Sequence, residues 1–211
     1  MRQLSTIFLS IIFFTLLFAQ PSYSALRGGI DYSIPIEYRN LSENELQKKA
    51  SYHYFEAIKA KDGVITDDIT DALNLYTILQ NVNPDNVEYS IKLGILYGKI
   101  GKDRYAKGNL YRAISINDNN PAAYYQLGEF YYKRTSYKKA LKFYTIAYQK
   151  GYSKDYDTLY KLGDIYEKFG DTKEALKYLK EASLQSPNSE LDSKIKRVET
   201  FDSINKEYYT K

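Results

Sequence analysis

The chain has 211 residues, 44% of them hydrophobic, and a formal net charge of +4. This length and apolar content suit one domain with its own core and exclude general disorder. The small charge is spread along the chain, so it indicates no nucleic-acid site, and the absence of cysteine excludes disulfides and thiol chemistry.

The first 24 residues have the pattern of a signal peptide. Arg2 precedes an apolar run at 7–19, which fits a signal-peptide core and is shorter than the roughly 20 residues that a membrane-spanning helix needs. Small residues then occupy the two positions that a signal peptidase inspects, Ser22 and Ser24. The pattern predicts export to the periplasm or outside the cell, with cleavage after Ser24. An uncleaved N-terminal membrane anchor is the alternative.

The next residues predict an arm and then an atypical helical hairpin. Residues 25–42 show no helical period and are expected to form an extended arm or linker. Residues 43–84 are expected to form a hairpin that departs from those that follow. Ala57 stands where the later hairpins have glycine, and it lies 15 residues before Ala72, three more than in those hairpins. We therefore expect a longer turn, near Gly63.

Three consecutive segments then repeat one pattern of small and large residues, at 85–118, 119–153 and 154–187. Each has a Leu-Gly pair, a Tyr three residues after the Gly, and alanines twelve and nineteen residues after it. The glycines, 34 and 35 residues apart, are Gly94, Gly128 and Gly163. The first alanines are Ala106, Ala140 and Ala175. Two antiparallel helices approach closely only where side chains are small, so we expect each Gly and first Ala at a helix crossing.

This pattern resembles the tetratricopeptide repeat family, whose 34-residue unit carries the same Leu-Gly, Tyr, Ala, Ala and Pro signature. The resemblance extends from Asp85 to Pro187. It implies an all-α fold of tandem antiparallel hairpins that form a short right-handed superhelix, or α-solenoid. An unrelated helix bundle is the structural alternative.

The last residues, 188–211, are expected to form a capping helix over the final hairpin. Apolar side chains recur there at helical spacing and form one predicted stripe: Leu191, Ile195, Val198, Phe201 and Ile204.

The sequence indicates no catalytic chemistry. His53 is the one histidine in the chain, which argues against a Ser-His-Asp triad or a histidine-rich metal site. Gly101-Lys102 lacks the earlier glycine that a Walker-type phosphate loop requires. We therefore expect no enzyme activity, no cofactor and no metal.

The family resemblance also implies a site. In that family the first helix of each hairpin lines a concave groove that receives peptide segments. Carried onto this sequence, the candidate groove residues are Ile91, Ile95, Lys99, Tyr125, Glu129, Tyr132, Lys133, Tyr160, Asp164 and Lys168. The Lys and Asn clamp of the chaperone-tail binders is absent, because isoleucine, tyrosine and glutamate occupy its positions.

Three of these residues, Tyr125, Tyr132 and Tyr160, are the favoured partner contacts, because rigid amphipathic rings dominate binding hot spots. Packing between neighbouring hairpins is the alternative role for them. The lysines of the set would suit an anionic ligand, but lysine is common at that position in the family, so a solvated role is favoured.

These features predict a non-enzymatic scaffold or adaptor outside the cytoplasm that binds a protein or peptide segment in its groove. Neither nucleic-acid binding nor membrane insertion after cleavage is expected. The alternative is a structural subunit of an envelope or secretion assembly that packs through its convex face and N-terminal arm.

Overall fold

The computed structural model describes residue 38 and residues 41–209, with the side chains of 206, 208 and 209 left out. The predicted signal segment 1–24, and all but three residues of the predicted arm, lie outside this part. The chain divides into two compact units, Met1–Ser42 and Glu43–Lys211. In the first unit, Tyr38 is buried and its carbonyl accepts a hydrogen bond from the Leu41 N–H at 3.4 Å.

The described part of the second unit is entirely helical apart from turns. Its helices are α1 (Glu43–Lys59), α2 (Asp67–Val82), α3 (Val87–Lys99), α4 (Asp103–Ile116), α5 (Pro121–Tyr132), α6 (Tyr137–Ala147), α7 (Tyr156–Lys168), α8 (Thr172–Gln185) and α9 (Ser189–Tyr209). Successive helices from α1 to α8 pair as four hairpins. This confirms the predicted all-α helical-repeat solenoid. Within the described residues, no helix combines the length and apolarity that crossing a bilayer requires.

The first helices of successive hairpins lie side by side, since α1 contacts α3 and α3 contacts α5. We call the surface formed by α3, α5 and α7 the groove face. Each of these helices begins at a side chain that caps it by accepting backbone N–H bonds, as expected for helix N-termini. The three capping residues, again 34 and 35 residues apart, are Asn86, Asn120 and Asp155.

The extra residue of the second spacing falls between α6 and α7. There the chain passes through a single π-helical turn, Tyr148–Tyr152, before α7 begins. Gly151 in this turn has a φ of +132°, which side-chain-bearing residues rarely adopt.

The repeated glycines lie where the two helices of each hairpin are closest. A Cβ at Gly128 would lie 2.6 Å from the Tyr144 ring, which is closer than real contacts allow. Gly94 and Gly163 show the same crowding against the leucines that occupy the Tyr144 position in their own hairpins. The repeated alanines lie on the second helices, one turn before these large side chains, and are fully buried: Ala106, Ala140 and Ala175. Small residues at these crossings are therefore a packing requirement.

The last helix covers less of its hairpin than the predicted stripe implies. Leu191 and Val198 are buried in the core of the final hairpin, whereas Phe201 is 51% exposed and Ile204 is 48% exposed. Thr172 begins α8 and donates a hydrogen bond to Asp202 at 2.5 Å, so the residues of α9 after Asp202, Ile204 among them, extend past the start of α8.

Prediction for the crossing glycines. Gly128→Ala should lower the free energy of unfolding by about 1–3 kcal/mol, because the added methyl group must displace the fully buried Tyr144 ring. Gly98, also in a helix, is the matched control, since its added Cβ would meet nothing closer than 3.8 Å. Gly98→Ala should leave stability unchanged or raise it by up to about 1 kcal/mol through helix propensity. Urea denaturation of the two variants measures both effects, and equal stabilities would contradict the crossing geometry.

Prediction for the capping helix. Removing residues 189–211 should bare the apolar surface that Leu191 and Val198 cover, and exposed apolar patches promote association. Light scattering should therefore show a larger species than the parent protein forms. Phe201→Ser is the control, because Phe201 is half exposed and its loss uncovers little. A truncated chain with the parent's size and melting temperature would show that α9 covers nothing of consequence.

Candidate functional site

The ten predicted groove residues lie on α3, α5 and α7 or at their ends, with Lys133 as the C-cap of α5. One of them, Ile91, lies in the core and not on the surface. Ile91 is only 8% exposed and packs in a small core with Ala113 and Ala123. The other nine are at least partly exposed, apart from Asp164.

Tyr132 joins two repeats. Its hydroxyl donates to Asp164 Oδ2 at 2.5 Å, which connects α5 to α7. Its ring lies edge-on to Tyr137 at 5.5 Å and to Tyr144 at 6.4 Å, and Lys161 Nζ lies 4.0 Å from the ring centroid. Both the hydroxyl and the ring are therefore engaged within the chain. Of the two roles considered for Tyr132, these contacts favour packing between hairpins.

Tyr125 and Tyr160 are also half-buried by neighbouring rings. The Tyr125 ring lies 5.6 Å from Tyr144 and 6.0 Å from Tyr152. Its burial, followed by the nearby charge of Glu129, raises the pKa of Tyr125. Tyr160 stacks on Tyr156 at 6.0 Å with an angle of 23° between the rings. The tyrosines of the groove face therefore form part of its structure as well as its surface.

Glu129 occupies the centre of the groove face. Its Oε1 accepts the hydroxyl of the buried Tyr144 at 2.5 Å and lies 3.3 Å from Lys161 Nζ on α7. The Tyr144 ring is the one that crowds Gly128, so the crossing contact and the groove carboxylate share one side chain.

Asp164 lies in an equivalent place one repeat later and is 6% exposed. Lys194, on α9, approaches Asp164 Oδ1 at 2.6 Å and Glu167 Oε2 at 2.7 Å. Burial opposes ionisation of Asp164, but the hydrogen bonds from Lys194 and Tyr132 outweigh burial and lower its pKa. The capping helix therefore neutralises the acids at the α7 end of the groove face.

The three lysines of the predicted set are all ion-paired. Lys99 and Lys133 share Asp62, at 2.9 Å and 3.2 Å, and Lys168 lies 3.3 Å from Asp164. These contacts leave no row of unpaired cations along the groove face.

An open cleft of about 90 Å³ lies between α3 and α5. Among the residues that line it are four of the predicted set, Ile95, Lys99, Glu129 and Lys133. Two further lining residues, Gly98 and Gln126, were not predicted. Among the described residues, no three His, Asp or Glu side chains are grouped closely enough to hold a metal ion.

Sequence reasoning missed Lys161, Lys194, Gly98 and Gln126. The repeat itself contained a signal for the two lysines. Lys161 and Lys194 are 33 residues apart, close to the repeat period, and they pair with Glu129 and Asp164, which are 35 residues apart.

Comparison with known families identifies the same helical-hairpin repeat that the structure shows. A family model of the tetratricopeptide repeat matches residues 157–189, which include all of α8 and all but the first residue of α7. The two preceding hairpins have crossing glycines and capping side chains at the equivalent positions. Residues 157–189 therefore form a tetratricopeptide repeat. The family resemblance inferred from the Leu-Gly pattern is thereby confirmed.

Several solved structures share this fold. MamA aligns with a TM-score of 0.57 and 23% identity, over 68% of this chain and 84% of its own. PilF of Pseudomonas aeruginosa aligns with a TM-score of 0.61 and 12% identity, over 75% and 71%. An RS-1 MamA double mutant aligns with a TM-score of 0.62 and 14% identity, over 80% and 90%. Identities this low establish the common fold. No curated protein matches the chain at a significant level.

Prediction for Asp164. A carboxyl group whose pKa is lowered by folding stabilises the protein above its unfolded value of about 4, and this stabilisation disappears as the pH falls through the folded value. The free energy of unfolding should therefore fall below about pH 4, and less steeply in Asp164→Asn. Asp157→Asn is the control, because burial and Asp155 raise the pKa of Asp157, which gives its contribution the opposite sign. Urea titrations from pH 3 to pH 7 test this, and equal slopes for the parent and Asp164→Asn would contradict it.

Proposed function

We propose that this protein is an exported, non-enzymatic scaffold that binds a segment of a partner protein along its groove face. The cleft between α3 and α5 carries this proposal, because there the groove face is open between two repeats. Pockets that bind ligands are concave, largely apolar and edged by a few polar groups, and this cleft combines Ile95 with Glu129, Lys99 and Lys133.

The rest of the groove face is more closed, which favours the α3–α5 cleft as the place where a partner segment inserts. Between α5 and α7, the Tyr132 ring and Lys161 fill the equivalent space. Between α7 and α9, Lys194 covers Asp164 and Glu167. A partner segment would therefore make its deepest contact at the α3–α5 cleft and run over a shallower surface elsewhere.

Two further features fit this function. Tetratricopeptide-repeat proteins are generally non-catalytic interaction modules, and the sequence indicates no catalytic set. The apolar run at 7–19 followed by Ser22 and Ser24 supports export.

Prediction for partner binding. Lys133 lines the cleft and is exposed, so Lys133→Glu should change partner affinity with little effect on folding. A photo-crosslinking amino acid at position 126, inside the cleft, identifies the partner in cells. We expect Lys133→Glu to weaken that partner's binding about tenfold, equivalent to about 1.4 kcal/mol. Calorimetry on the purified pair measures the change.

Lys138 on α6 provides the matched control, because it is exposed and lies outside the groove face. Lys138→Glu should keep the parent's affinity. Equal affinities for both charge reversals would place the partner on another surface. Crosslinks that form from a photo-crosslinking residue on α4 or α6, but not from position 126, would do the same.

A further inference from the structure

The cleft exists because one repeated position changes from a large residue to glycine. Gly98, Tyr132 and Glu167 are equivalent residues, 34 and 35 positions apart. Packing does not require the glycine, since an added Cβ would meet only Ala106 and Phe130, at 3.8 Å and 3.9 Å. These are ordinary van der Waals distances. Gly98 therefore differs from the crossing glycines, and its consequence is open space.

The surroundings of the cleft match those of the Tyr132 side chain, one repeat earlier. Besides Tyr137, Tyr132 contacts three residues across its repeat boundary and within its hairpin: Tyr144, Lys161 and Asp164. Shifted back by 34 or 35 residues, these positions become Leu110, Gln126 and Glu129. All three line the cleft. The cleft thus shares these three positions with the Tyr132 site and lacks its tyrosine, while the Tyr137 position becomes Asp103, which does not line the cleft.

We propose that this cleft binds a tyrosine side chain from the partner segment. The phenol ring would lie between α3 and α5, and its hydroxyl would donate to Glu129, as the Tyr132 hydroxyl donates to Asp164. This inference rests on the proposed function, since it names the residue that the groove selects.

The charge of Glu129 selects against ionised side chains in the cleft. A lysine or arginine in the cleft would compete with Lys161 for Glu129, while an acidic side chain would meet Glu129 itself. A phenylalanine would cover Glu129 with apolar carbon and supply no donor, and burying a polar group without a partner is costly. A tyrosine ring is uncharged and its hydroxyl supplies a donor for Glu129, so it satisfies both requirements.

Size and acceptor capacity also agree with a phenol. The cleft measures about 90 Å³ and is open on one side, so it holds the ring partly buried. An enclosed cavity of about 150 Å³ takes up benzene completely. Glu129 is bonded to Tyr144 and Lys161 through Oε1 and also has a hydrogen bond with Tyr125, and a carboxylate has about four acceptor positions in total. It can therefore accept a further hydroxyl.

The test uses N-acetyl-tyrosinamide as the probe and N-acetyl-phenylalaninamide as its analogue without the hydroxyl. In NMR titrations of the full-length protein, the tyrosine probe should shift the amides of Ile95, Gln126 and Glu129 and should give intermolecular contacts to the Ile95 methyl groups. The phenylalanine probe should bind about tenfold more weakly, because the lost hydrogen bond is to a charged acceptor.

Gly98→Tyr should abolish the response by filling the cleft with the chain's own ring, and its melting temperature should stay at or above the parent's. Gly108→Tyr on α4 is the matched control, since nothing lies within 4 Å of an added Cβ there, and it should bind the probe like the parent. Equal binding of both probes, or an unchanged response in folded Gly98→Tyr, would overturn the proposal. The contacts to Ile95 in the parent test it without any variant.

The partner experiment separates this inference from the function on which it rests. A partner whose affinity falls with Lys133→Glu but not with Gly98→Tyr would support groove binding and overturn the tyrosine site. Probe binding at the cleft, combined with a partner that crosslinks only from another face, would support the tyrosine site and overturn the proposed function.

Discussion

The contact between each crossing glycine and the large side chain opposite it is the constraint on which the repeat structure depends. At Gly128 the opposing residue is Tyr144, which is fully buried and leaves no space for a Cβ. The close approach sets the geometry of the hairpin and so the position of its first helix. The same tyrosine continues past the crossing, and its hydroxyl reaches Glu129 on the groove face. Core packing and site electrostatics are therefore coupled through one side chain.

Repetition with small changes divides the groove face into a closed part and an open part. Where the repeat has Tyr132, a ring joins α5 to α7 and ends on Asp164. Where it has Gly98, the space between α3 and α5 remains open. The capping helix completes the closed part, because Lys194 provides a cation to both Asp164 and Glu167. One glycine and one lysine thus account for most of the difference between the two ends of the face.

The polar side chains of the groove face are held by one another, and burial raises the pKa values of Tyr125 and Tyr132 further above their ordinary range. A face built from interlocked helices loses little conformational entropy when a partner binds, which favours affinity. In the proposed function, open space at one point of such a face gives a simple basis for specificity, since a partner side chain must match a single cleft.

The sequence alone determined the repeats, because a pattern of small and large residues recurs along one dimension and needs no neighbours to be recognised. The Leu-Gly pairs and their spacing were enough to predict the all-α hairpins, and the groove face came from the family resemblance that they carry. Only the tertiary structure decided which groove residues are accessible. Ile91 is buried, Tyr132 is bonded to the next repeat, and Lys194 reaches Asp164 from a helix thirty residues away. Each outcome depends on how far adjacent hairpins are displaced and on where a helix ends, and neither quantity is contained in the pattern of one repeat.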